Sequence, residues 1–309
     1  MSDPEGDHEQ ALDTAVAALR DSLVVTGCGP TGESAAAQVA TDDPVVTREP
    51  SPAARAAFIG VDLAAPTPAL EIGRELAAAG TFVVCVAAVP PRPDADGRRT
   101  LAELRAAVDA VVLVGGTDPV ADTAAGLATL IRLVAGADEV NLDLADVETT
   151  VGAGGFAAVG TAQAADPEEA VAAALDACGP VSLERATGAL VHLTGGRELS
   201  VQAAGDAVAA VRDQLVDGSH VIWGAGATEA DTDAETEKPV TAWVVLAGVI
   251  PVRPPVSAGD PCPRCGEQLV GYRLSDRETV ACDGCRFADV TAPLGGEPLV
   301  PGEDYGSGS

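Results

Sequence analysis

Between Leu23 and Gly136 the chain alternates strand-sized apolar runs with segments bounded by helix start and stop signals. The runs are Leu23–Thr26, Ala57–Val61, Thr81–Ala88 and Ala110–Val114. Thr67 and Pro68 fit an N-cap and first helical position, with Gly80 as the stop. Thr100 and Glu103 have the spacing of a capping box. Asp118-Pro119 opens a further helical segment that stops at Gly136. Repeated strand–helix units of this kind predict an α/β fold with a parallel, Rossmann-like sheet.

From Gly152 the pattern changes. Asp166-Pro167-Glu168-Glu169 opens a capped helix ending near Gly179, Gly188–Thr194 reads as a strand, and a long helix is predicted over 200–218. Strands follow at Val221-Ile222-Trp223 and Val240–Val249, joined by an acidic connection, Ala227–Lys238, whose composition predicts disorder. The expected organisation is an acidic arm (1–20), a shortened Rossmann-like domain (21–140), an α+β domain (141–250), a Pro-rich linker (251–260), a cysteine-paired hairpin module (261–293) and a polar tail (294–309).

The formal net charge is −29, and Lys238 is the sole lysine. With aromatic residues at 3%, the predicted core is built from Ala, Val and Leu. Such an acidic, Lys-poor composition fits adaptation to molar salt, as in halophilic archaea, and makes the acidity a solubility device. It opposes nucleic-acid binding, since little basic surface is left to displace counterions from phosphates. The longest apolar run, Phe82–Val89, is strand-sized and far short of a membrane span. Residues 1–10 lack the basic and apolar regions of a signal peptide. These features predict a soluble, cytoplasmic protein.

Four of the seven cysteines fall into two pairs, Cys262-x-x-Cys265 and Cys282-x-x-Cys285, with sixteen residues between them (266–281). This is zinc-ribbon spacing. Four thiolates complete a tetrahedral Zn²⁺ shell and leave no position for water, so the predicted zinc is structural; a rubredoxin-type iron site is the alternative. Leu269–Arg273 and Glu278–Ala281 can pair as a hairpin. A module of this size needs its metal to fold. Cys28, Cys85 and Cys178 stand singly among small or apolar residues and read as inert core thiols, not as a disulfide framework.

Three ordered stretches carry a resemblance. They are Asn141-Leu142-Asp143-Leu144-Ala145-Asp146-Val147-Glu148-Thr149-Thr150, followed by Gly152-Ala153-Gly154-Gly155; Ala186-Thr187-Gly188-Ala189-Leu190-Val191-His192-Leu193-Thr194-Gly195-Gly196; and Val221-Ile222-Trp223-Gly224. Together they resemble FtsZ, the tubulin-like cell-division GTPase, over about residues 21–250 and best from Asn141 to Val249. The resemblance implies that Asn141, Asp143 and Asp146 form the loop that works in trans on the nucleotide of the next filament subunit, helping to orient the attacking water. Without it, the same residues read as caps of a helix-to-sheet connection.

The N-terminal half departs from the family pattern. Gly27, Gly29 and Gly32 form a G-x-G-x-x-G cluster, a remnant of the first GTP loop or a tight strand–helix turn with no ligand. Pro30 removes one of its N–H donors. The family's glycine-rich phosphate cradle uses backbone N–H groups and a helix N-terminus. Here that position reads Gly60-Val61-Asp62-Leu63-Ala64-Ala65-Pro66-Thr67-Pro68. Pro66 and Pro68 have no donors, and Asp62 puts negative charge where phosphate would sit. Residues 33–56 are too few for the family's additional strand, helix and loops. Its guanine-contacting residues have no counterpart, and Arg98 and Arg99 are a trace of its basic loop. The loops predict poor GTP binding or none. His192 and His220 belong to no readable catalytic motif and read as structural.

Three functions follow as expectations. The first is a non-canonical FtsZ/tubulin-like protein without GTPase activity of its own, which binds or caps an active FtsZ-type subunit through the 141–146 loop and modulates cell-division or cytoskeletal assembly, with the ribbon contacting another protein. The second is a divergent, self-assembling GTPase. The third is a zinc-ribbon adaptor on an FtsZ-like scaffold.

Overall fold

The computed structural model describes residues 23–39, 46–90, 95–115, 117–135, 142–152, 156–179, 181–196, 199–227, 239–249, 258–260, 262, 267–274, 277–284 and 288–290. The predicted N-terminal arm and C-terminal tail, the acidic connection from 228 onward and most of the 251–260 linker lie outside the described residues.

The strands are β1 (Leu23–Cys28), β2 (Val46–Thr47), β3 (Ala56–Val61), β4 (Phe82–Ala88), β5 (Ala110–Val114), β6 (Phe156–Ala164), β7 (Gly188–Gly195), β8 (His220–Ala227) and β9 (Val240–Val249). They form one sheet in the order β2-β1-β3-β4-β5-β6-β9-β7-β8. From β2 to β6 every neighbour is parallel; β9 runs antiparallel to β6 and β7, and β8 is parallel to β7. The two expected domains therefore share a sheet. Their seam is the β5–β6 pairing, held by Val111↔Phe156, Val112↔Ala157 and Leu113↔Ala158.

Successive side chains of the central strands alternate between two cores. One core packs under helices α2 (Thr67–Ala78), α3 (Ala95–Ala107), α6 (Pro167–Ala177) and α7 (Val201–Arg212), through Leu70, Leu76, Leu101, Leu104, Val171 and Val208. The other packs under α1 (Gly29–Gln38), α4 (Pro119–Ala135) and α5 (Leu144–Val151), through Ala35, Leu127, Leu130, Val147 and Val151. Both faces of the parallel half are thus covered, as wholly apolar strands require.

Most predicted helix starts hold. Asp118 accepts from the N–H groups of Val120 and Ala121, Asp166 from those of Glu168 and Glu169, and Ser200 from that of Ala203. Four expectations change. α2 begins at Thr67 with Pro66 at its cap position, so Thr67 is not the N-cap. α3 begins at Ala95, with Asp96 in its first turn, so Thr100 is a buried mid-helix residue and not an N-cap. α7 ends at Arg212, six residues before Gly218. Gly29 and Gly32 lie within α1 instead of in a loop before it.

Candidate functional site

The strand order puts β1 and β3 side by side, with the connections from them leaving to opposite sides of the sheet. In open α/β sheets the crevice at such a switch point, outside the carboxyl ends of the strands, is where ligands bind. Gly27, Gly29 and Gly32 all lie at this crevice, and each is required by close packing. A Cβ on Gly27 would fall 2.0 Å from the Gly32 carbonyl oxygen, and one on Gly32 would fall 2.2 Å from that of Gly60. The first turn of α1 therefore rests on the backbones of β1 and β3. Gly29 has φ of +74°, and a Cβ there would fall 2.7 Å from the Cβ of Asp62.

Asp62 follows β3 directly and closes the crevice. Its N–H donates to the Cys28 carbonyl at 3.0 Å. Its carboxylate accepts from Thr31 N–H through Oδ2 at 3.2 Å and from Ala64 N–H through Oδ1 at 2.9 Å. The α1 N-terminus has no side-chain cap from Cys28 and carries Pro30 in its first turn, so the Asp62 carboxylate supplies the negative charge that a helix N-terminus favours. An anion from solution would meet a carboxylate already bonded to the donor it needs. The start of α2 offers little in exchange. Its cap position is Pro66, without a side-chain hydrogen bond, and Pro68 follows within the first turn.

The second candidate region lies toward the opposite end of the strands. Asp143 caps α5 by accepting from Asp146 N–H through Oδ1 at 3.0 Å, and Asp146 Oδ2 accepts from Asp143 N–H at 2.9 Å. The two carboxylates thus form a reciprocal capping box, with one oxygen of each engaged. Asp143 is exposed, while Leu142 and Val147 on either side anchor the turn in the core. Asn141 lies outside the described residues. Glu148 of α5 pairs with Arg55, just before β3, at 4.0 Å, and a Cβ on Gly152 would touch the ring of Phe82, the first residue of β4, at 3.1 Å. The C-terminal part of α5, about one turn beyond the capping box, is therefore at the amino ends of β3 and β4, whereas Asp62 is at the carboxyl end of β3. The strand between them is roughly 20 Å long.

The remaining predicted residues have structural surroundings. Arg99 is paired with Asp96 at 2.9 Å and Glu103 at 3.9 Å along α3. His192 is buried, with its ring 5.6 Å from that of Trp243. Cys28, Cys85 and Cys178 are buried thiols whose pKa values are all raised by burial, to about 11 for Cys28, with a smaller push from Glu33, and to about 12 for Cys178. Cys262 and Cys282 are buried together beside the hairpin that the spacing predicted, whereas Cys265 and Cys285 lie outside the described residues. Among the described residues no three potential ligands come together around a metal position, and no helix is long and apolar enough to cross a membrane. Asp62 was legible as a misplaced charge; its two N–H partners, Thr31 and Ala64, were not, because they depend on where α1 meets the loop after β3.

Comparison with known proteins places this geometry. The model of the FtsZ family C-terminal domain matches residues 155–249. Cell division protein FtsZ 1 of Methanocaldococcus jannaschii is 32% identical over 124 residues, 39% of this chain and 33% of the relative. Cell division protein FtsZ of Haloferax mediterranei is 29% identical over 196 residues, 55% of this chain and 50% of the relative. The empty FtsZ dimer of M. jannaschii superposes with a TM-score of 0.59 at 20% identity, covering 80% of this chain and 93% of that one. The chain is similar to FtsZ in sequence over residues 155–249 and in fold over most of its length. CetZ2 of Haloferax volcanii, solved as a GTPγS-bound protofilament, superposes with a TM-score of 0.50 at 21% identity, over 63% of this chain and 66% of that one. The sequence matches span a third to a half of these curated relatives.

Proposed function

We propose that this FtsZ/tubulin-like chain does not use GTP of its own and acts on FtsZ-type filaments as an end-binding or capping subunit, modulating cell-division or cytoskeletal assembly. The observation that carries the reading is the Asp62 carboxylate bonded to Thr31 N–H at the head of α1. It supplies internally the negative charge that a nucleotide phosphate would bring to a helix N-terminus. Pro30, Pro66 and Pro68 remove further donors from the same crevice.

The opposite end of the strands is different in kind. The 142–146 turn is intact, held by its capping box, and presents Asp143 at the surface. Head-to-tail assemblies grow by joining unlike faces, and a subunit with only one working face ends the row. On this reading Asn141, Asp143 and Asp146 meet the nucleotide of an active FtsZ-type neighbour, while the Asp62 face accepts no further subunit.

Two measurements test it in molar KCl. Fluorescent GTP should show no saturable, Mg²⁺-dependent anisotropy change with the folded chain. The chain should pellet with GTP-loaded FtsZ-type filaments and alter their turnover at substoichiometric amounts. Tight GTP binding would remove the basis of the proposal, and so would failure to pellet together with unchanged turnover. The retained glycine packing at the switch crevice favours a second reading, a divergent self-assembling GTPase; GTP-dependent pelleting of this chain alone would establish it.

A further inference from the structure

The two halves of the sheet meet at a seam of three residue pairs, Val111↔Phe156, Val112↔Ala157 and Leu113↔Ala158. Neighbouring strands pair over a range of twist angles, so a seam this short does not by itself fix the angle between the halves. Helices of the first half cross it on both faces. On one face the Arg105 guanidinium of α3 lies 5.9 Å from the ring centroid of Phe156, the first residue of β6. On the other, the last turn of α4 lies across β6 and β9. Thr161 and Trp243 are cross-strand neighbours there, and His192 of β7 is next in the row. Arg132 lies 5.6 Å from the ring centroid of Trp243, and Thr129 Oγ1 is 3.2 Å from Thr161 Oγ1. Thr129 gives its own proton to the Ala125 carbonyl at 2.9 Å, so Thr161 is the donor across the seam. Thr129 and Arg132 are one turn apart on the same face of α4.

These are the two arginine–aromatic contacts among the described residues, and both join the two halves. With 47 acidic residues, 18 basic ones and aromatic residues at 3%, composition alone would seldom bring an arginine onto a ring. The pairing suits concentrated salt. Exposed ion pairs are screened there, whereas an arginine over a ring gains from the ring quadrupole and from apolar contact along its stem. Phe156 is buried and Trp243 half-buried. The seam also bears on the candidate site, because α5 sits astride it. Val147 and Val151 share a core with Leu190 and Val245 of the second half. Glu148 pairs with Arg55 of the first half, and a Cβ on Gly152 would fall 3.1 Å from the ring of Phe82.

We propose that Arg105 and Arg132 are positioning residues, clamps that hold the two halves at one angle in concentrated salt and so fix the direction in which α5 presents the Asp143 turn. The effect on filaments rests on the capping reading above; the clamp itself does not.

The test uses the full chain in molar KCl. In hydrogen exchange, Arg105→Gln, Arg132→Gln and Trp243→Leu should each speed the amides of residues 111–113 and 156–158 at least fivefold and leave those of β1 and β3 unchanged. A general loss of stability would move both sets alike. The Arg132→Gln, Trp243→Leu double variant should show no more than the larger single effect, since the two side chains act as one contact. Arg132→Lys, which keeps a cation, should fall between Arg132→Gln and the wild type. Arg55→Gln removes only an exposed ion pair and should leave the seam amides as they are. Where the wild type alters filament turnover, Arg132→Gln should weaken that effect at least fivefold; an undiminished effect would overturn the positioning role. If the wild type leaves filaments unaffected, the capping reading fails, and exchange at the seam still decides the clamp. Seam amides that exchange alike in the wild type and in the Arg105, Arg132 and Trp243 variants, or effects that simply multiply in the double variant, would overturn the proposal.

Discussion

Replacing Asp62 with Ala removes one side chain that bridges two segments. The carboxylate accepts two N–H bonds, from Thr31 at 3.2 Å and Ala64 at 2.9 Å, and faces the N-terminus of α1. Loss of a side-chain cap costs about 1 kcal/mol. Loss of the charge at a partly exposed helix N-terminus adds roughly 0.3–1 kcal/mol. The Thr31 and Ala64 donors regain water at this half-buried position, so no full desolvation penalty is added. The expected destabilisation of Asp62→Ala is therefore about 1–2 kcal/mol. Asp62→Asn keeps an acceptor and loses the charge, and should cost only the electrostatic part, about 0.3–1 kcal/mol. Urea unfolding of both variants at molar KCl, with unchanged slope, measures the difference. Salt at that concentration screens exposed charge, so the Asn variant should approach the wild type as KCl is raised. If Asp62→Ala unfolded at the wild-type midpoint, the carboxylate would not be holding the α1 terminus, and the account of a self-filled anion site would fail.

Two further outcomes are expected. Asp143→Ala should lower stability by about 1 kcal/mol through loss of the α5 cap, and Asp143→Ser should restore most of that stability; if Asp143 acts on a filament neighbour, both variants should lose the effect on filament turnover, and a Ser variant with full effect would reduce Asp143 to a cap. The raised pKa values of Cys28, about 11, and Cys178, about 12, keep these thiols protonated in the folded chain after an unfolded thiol, near 9.0, has ionised. The unfolded chain then binds fewer protons, so stability should fall as pH rises from about 9 toward 11, and a disulfide reagent at pH 8 should leave Cys28, Cys85 and Cys178 unmodified until the chain is unfolded; reaction of any of them at native-state rates would refute the burial.

Local patterns were good guides where a single segment decides its own state. Asp118, Asp166 and Ser200 are short polar acceptors directly before helix-forming runs, and each caps its helix in the structure. The Thr100–Glu103 signal failed because the same spacing arises inside a helix that starts earlier, at Ala95, and nothing local separates the two cases. The end of α7 was overrun for a similar reason. Past Arg212 the sequence Asp213-Gln214-Leu215-Val216-Asp217 contains no glycine or proline, yet Asp213 is already the cap.

Composition and residue order by themselves determined the alternating α/β plan, the family resemblance of the second half, the paired cysteines and the prolines without N–H donors at positions 30, 66 and 68. Each follows from the chemical nature of residues close in sequence: periodicity, missing N–H groups, fixed spacing. Tertiary structure alone decided that β6 joins β5 to make one sheet, that Asp62 reaches Thr31 thirty-one residues away, and that the C-terminal part of α5 lies at the other end of β3 from Asp62. Those are contacts between distant segments. Strand order and the packing of α1 on Gly60 set them, and no local preference encodes either.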